Sequence, residues 1–170
     1  MLLGGAERAP AQTLPFDYPR LCRETASVPL VQAAIDPRAI NIWSERESRR
    51  AGRFEQYSFG NRRIDVRLND QTSLFHGLIH RTLDLIGESM WKYRNLAPES
   101  DYEHWLIYYT LEMHWPGAQR RQREPSMAAL RQAIAYWSAR PEEYARLNAK
   151  AAALAATSWC ARQATAMDTP

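Results

Sequence analysis

The chain has 170 residues, 45% of them apolar and 24% charged, with a formal net charge of +3. That is an ordinary globular balance and enough chain to bury a core, most simply as one domain. No apolar run approaches the roughly 20 residues of a membrane span, and the opening "MLLGGAERAPAQ" has neither a basic n-region nor the apolar stretch of a secretory signal.

No membrane partner is therefore expected. Export through a specialised system leaves no trace in such a sequence, so the compartment stays open between that and the cytoplasm. The positive charge is almost wholly arginine, since only Lys92 and Lys150 are lysines. The arginines cluster in "RESRRAGR" (46–53), "NRRIDVR" (61–67) and "RRQR" (120–123), interleaved with Glu45, Glu47, Glu55 and Asp65. Interleaved acids make these solvated faces rather than a phosphate-binding surface, and nucleic acid is not expected as a partner. Cys22 and Cys160 lie far apart without metal-type spacing. Two free buried thiols are the default for them, with a disulfide the alternative.

In chain order, residues 1–20 hold Pro10, Pro15 and Pro19 among small and polar residues and predict an extended or partly disordered arm. Residues 21–170 then form a single α+β domain. "ASVPLVQAAI" predicts a short helix after Pro29, and "RAINIWSERESRRAG" fits either a helix or a strand followed by a polar turn. "RFEQYSF" and "RRIDVRL" flank Gly60-Asn61 and predict a hairpin, 54–59 with 62–68, in a small antiparallel sheet. Ile64, Val66 and Leu68 alternate with Asp65 and Arg67, so one face of the second arm is buried. Helices follow at 73–87, with Asp70, Thr72 or Ser73 as N-cap, and at 100–115, capped by Ser100 and stopped by Pro116-Gly117. The last two, 126–139 and 142–163, each start near a proline and predict an antiparallel helical hairpin.

The helix "SLFHGLIHRTLDLIGE" (73–88) carries the chemistry. Phe75, Leu78, Ile79, Leu85 and Ile86 fill one sector of its wheel, and His76 and His80, one turn apart, stand about 40° from each other at its rim. Both imidazoles can reach one ion lying against the helix, and neutral imidazole is a good zinc ligand. The chain's four histidines, His76, His80, His104 and His114, all fall on this helix and the next. That is the trace a site between two helices would leave.

"TSLFHGLIHRTLD" resembles the active-site helix of zincin metallopeptidases, whose usual form is HExxH, often within "LFHELIHxxD". "GNRRIDVRLNDQTS" before it is similar to the edge strand that leads into that helix. The resemblance spans roughly 54–115 around a five-residue core, and small bacterial effector and toxin-type peptidases have domains of about this size. It implies a zinc cofactor, a peptide or protein substrate, and His76 and His80 as ligands. The third ligand implied is Glu103, near the start of the second helix, although Ile107 stands where the family often has an acid. His104 and Glu88 are reserves, and His114 a substrate or supporting contact. One of Tyr108 and Tyr109 would serve as an oxyanion donor.

The departure is at Gly77, where the family has the glutamate that takes a proton from the metal's water. Glycine in a helix costs about 1 kcal/mol against alanine, so Gly77 reads as poor for folding and empty for catalysis. The expectation is a zinc metallopeptidase-like protein of effector or toxin type without its general base, an inactive variant or pseudoenzyme. A Gly77→Glu change should then both stabilise the helix and restore the proton shuttle. The alternative is a non-catalytic protein-interaction module with incidental histidines.

Overall fold

A computed structural model describes residues 16–89, 102–121 and 125–167. The architecture is α+β, a small three-stranded sheet in the first half followed by helices. Residues 18–20, placed in the expected arm, belong instead to α1 (Tyr18–Glu24), which is capped by Asp17 and buries Tyr18, Leu21 and Cys22. Residues 1–15 lie outside the described residues. A single turn, α2 (Pro29–Gln32), follows and sinks Leu30 and Val31 completely.

The ambiguous segment resolves into both alternatives in succession. β1 (Ile40–Trp43) leads into α3 (Glu45–Ala51), which Ser44 and Glu47 start with a reciprocal capping box and Gly52 ends at φ 67°. β2 (Glu55–Ser58) and β3 (Arg63–Arg67) form the expected antiparallel pair. The sheet is mixed rather than antiparallel, because β1 runs parallel to the central β3 with Ile40 opposite Ile64. α3 joins the two edge strands at one end of the sheet, and the antiparallel β2 carries the chain back so that β3 can run parallel to β1 between them. The hairpin connection is also longer than a Gly60-Asn61 turn. Ser58 pairs with Arg63, Asn61 Oδ1 accepts from Arg63 N, and Arg62 takes the left-handed conformation at φ 55°.

Asp70 accepts from Ser73 N and starts α4 (Gln71–Leu85), whose Leu74, Leu78, Ile79 and Leu83 are buried. This helix lies against β2 and β3 on one side and against α2 and α5 on others. α5 (Tyr102–His114) buries Leu106, Ile107 and Leu111; the Ser100 expected as its cap is outside the described residues. The C-terminal helices differ from the expected hairpin in two ways. α6 (Met127–Ser138), capped by Ser126, packs chiefly on α5 rather than on its successor, placing the fully buried Trp137 in the core. The alanine-rich run breaks at 156–158 into α7 (Pro141–Ala155) and α8 (Trp159–Met167), with Ser158 buried at the break. α7 covers α2 with Leu147 and Ala151.

Cys160 on α8 reaches Cys22 on α1, and the two form a disulfide. The expected pair of free thiols is thereby corrected: two cysteines 138 residues apart meet because α1 and α8 pack together, a contact that spacing could not reveal. No helix among the described residues is long and apolar enough to cross a membrane.

Candidate metal centre

The centre stands where α4, α5 and β2 meet. One helical turn of α4 from His76 to His80 rises about 6 Å, and two residues of strand rise about 6.6 Å. The matched steps let β2 lay alternate side chains along α4. Glu55 lies beside Gly77 and His76, while Tyr57 stacks on the His80 ring with centroids 6.2 Å apart and planes 6° from parallel. The Tyr57 hydroxyl donates to Asp84 one turn further on, and the Phe59 ring meets His80 edge-on.

Neither helix histidine sits at an exposed rim. His80 is 9% exposed and the His76 side chain 16%, because α5 and β2 close over them. Their Nε2 atoms are 3.1 Å apart. Two nitrogens bound to one tetrahedral zinc at about 2.0–2.1 Å would stand about 3.3 Å apart, so the pair is already near the required edge. His104, from the first turn of α5, brings its ring to 5.4 Å from His76 and 5.1 Å from His80, centroid to centroid. One ring nitrogen from each of the three histidines lies within 4.8 Å of the other two.

Glu103 is brought to the centre, but on the far side of His80. Its Oε1 is 2.5 Å from Nδ1 of His80, and its Oε2 accepts from Ser89 Oγ. A carboxylate only accepts, so Nδ1 of His80 donates to Glu103 and Nε2 is the ring nitrogen that faces the cluster. This is the carboxylate–histidine pairing that orients metal-ligating imidazoles and raises their basicity. The third ring nitrogen in the cluster is thus that of His104, where the sequence pointed first to Glu103. The two residues stand about 100° apart on α5, and the rotation of that helix decides which one faces the histidines. Burial and the neighbouring His80 and His104 hold His76 well below the ordinary imidazole range, so its ring is neutral, the form a metal requires.

The other candidates separate cleanly. The Tyr108 ring stands 6.1 Å from His76 and 6.0 Å from His104, at the edge of the centre, whereas Tyr109 turns away and packs on Tyr144. His114 is exposed beside Trp115, about 15 Å along α5 from His104. Glu88 binds Arg146 and Lys150 of α7, which hold its carboxyl down at about 2, and it plays no part in the cluster.

Gly77 has a packing reason that the sequence did not show. A Cβ there would lie 2.7 Å from Cγ2 of Ile64 and 3.1 Å from Oε1 of Glu55. Glycine lets α4 approach β3 and leaves room for the Glu55 carboxyl. Glu55 is 12% exposed, its Oε2 is 3.9 Å from Nε2 of His76, and its Oε1 has no hydrogen-bond partner among the described residues. A groove of about 600 Å³ opens onto Glu55 and His76, with Ser48, Arg53, Phe54 and Arg67 also on its walls.

Burial pushes the Glu55 carboxyl up to about 7. The folded chain therefore holds this proton more tightly than the unfolded chain does. Stability present below about pH 4.5 is lost as the pH rises through 7, by roughly 3 kcal/mol if the shift is expressed in full. Metal-free Glu55→Gln should match the wild type near pH 4.5 and exceed it at pH 8. Denaturant melts at the two pH values check this, and an equal difference at both would refute it.

No protein-family model, no curated protein and no solved structure matches this chain.

Proposed function

We propose that the protein is a zinc-dependent hydrolase of metallopeptidase-like kind, with His76, His80 and His104 as the ligands. The observation that carries this reading is the convergence of three ring nitrogens from two helices to within 4.8 Å, one of them oriented by a buried carboxylate. Three protein ligands leave a fourth position for water, the arrangement of catalytic rather than structural zinc. Zinc there would acidify that water and polarise a carbonyl. The groove beside His76 supports access for a peptide, and the Tyr108 ring lies where its side chain could meet a developing oxyanion. The Cys22–Cys160 disulfide supports work in an oxidising compartment, which suits an exported effector or toxin.

The test is metal content. The purified full chain, equilibrated with zinc and desalted, should retain one zinc, and His80→Ala should retain little or none. Wild type without zinc, or equal zinc in His80→Ala, would reject the reading and favour an interaction module with a hydrogen-bonded histidine cluster.

A further inference from the structure

We infer that Glu55, delivered from β2, is the catalytic proton-transfer residue of this centre, in the place a helix carboxylate at position 77 would otherwise take; the inference rests on the zinc hydrolase reading. Four observations converge on it. Position 77 has no room for a side chain, and the Glu55 carboxyl itself occupies part of that room. Its Oε2 lies 3.9 Å from Nε2 of His76. If that nitrogen held an ion, Glu55 would be the carboxyl placed beside it to take a proton from the ion's water. Oε1 is buried without a hydrogen-bond partner among the described residues, although buried acceptors are nearly always satisfied. The groove opens onto Glu55 and His76 together, so a substrate reaching one reaches the other.

The step balances without a further reactant. Glu55 takes one proton from the water as its oxygen bonds to the carbonyl carbon of a peptide. The carbon–nitrogen bond then breaks, and Glu55 returns the proton to the leaving nitrogen, giving a carboxylic acid and an amine. Gly77 is thus the residue that admits the base from the strand, and its lack of a carboxyl does not leave the centre without one.

The experiment sets zinc-loaded wild type, Glu55→Gln and His80→Ala side by side on a broad proteome-derived peptide pool. Bound zinc and thermal unfolding are measured on the same samples. Glu55→Gln is isosteric; it should fold, keep its zinc and lose about 10²–10⁴ in cleavage rate. Cleavage within threefold of wild type, at full zinc, overturns the role of Glu55 and leaves the hydrolase standing. Loss of zinc in Glu55→Gln makes the residue a ligand and overturns the role as well. Zinc-loaded wild type that cleaves nothing overturns the hydrolase and the base together.

Discussion

Gly77→Glu is expected to destabilise the protein by at least about 2 kcal/mol, the reverse of what helix propensity alone would give. Glutamate gains roughly half a kcal/mol over glycine as a helix former. Against that, its Cβ must come within 2.7 Å of Ile64 Cγ2, on a fully buried side chain of the central strand. Overpacking a tight core costs about 1–3 kcal/mol. The new carboxylate would also lie beside Glu55, and two like charges in a largely buried site repel strongly. At this chain length the melting temperature should fall by roughly 5 °C or more. Gly77→Ala isolates the steric part and should cost less. Adding Glu55→Ala to Gly77→Glu should recover part of the loss, since it removes the facing carboxyl; contacting sites couple in this way. A Gly77→Glu variant more stable than wild type would contradict this packing of α4 on β3.

Removing the disulfide should have an effect of similar or larger size. It joins Cys22 on α1 to Cys160 on α8 across 138 residues. Closing a loop that long removes unfolded-chain entropy worth about 5 kcal/mol in the chain-entropy account, and measured losses for native bridges run at about 2–5 kcal/mol. The Cys22→Ala, Cys160→Ala double variant should melt roughly 10 °C below the oxidised wild type. Reductant should lower the wild type by a similar amount and leave the variant unmoved. The denatured, unreduced wild type should titrate no free thiol. Two titratable thiols, or a wild type indifferent to reductant, would show that the bridge does not form.

Much of the fold follows from local pattern. The alternation of Ile64 and Val66, the Asp70 cap and the prolines at helix starts are local signals, and the elements they mark are present; Leu68, expected on the same buried face, is exposed past the end of β3. β1 pairing parallel to β3 was not legible, because parallel pairing is a tertiary choice that a four-residue strand does not announce. At the centre, His76 and His80 were legible from helical spacing alone. His104 and Glu103 are neighbours, and only the rotation of α5 against α4 separates the residue that joins the cluster from the one that orients His80. Glu55 lies 21 residues before His76 on another element, so spacing says nothing about it. Two signals did point its way: it shares a strand face with the aromatic Tyr57 and Phe59, and a glycine inside an apolar helix marks a close approach by another chain segment.

The proposed three-imidazole zinc centre between α4 and α5 can be read by X-ray absorption at the zinc edge on the full chain. Wild type should show one zinc bound by three imidazole nitrogens at about 2.0–2.1 Å with one lighter oxygen ligand from water. His104→Ala should lose an imidazole from that shell, and Glu103→Gln should keep all three while binding zinc about 10–100-fold more weakly. Two imidazoles and a carboxylate in wild type, with no change in the shell of His104→Ala, would contradict the account.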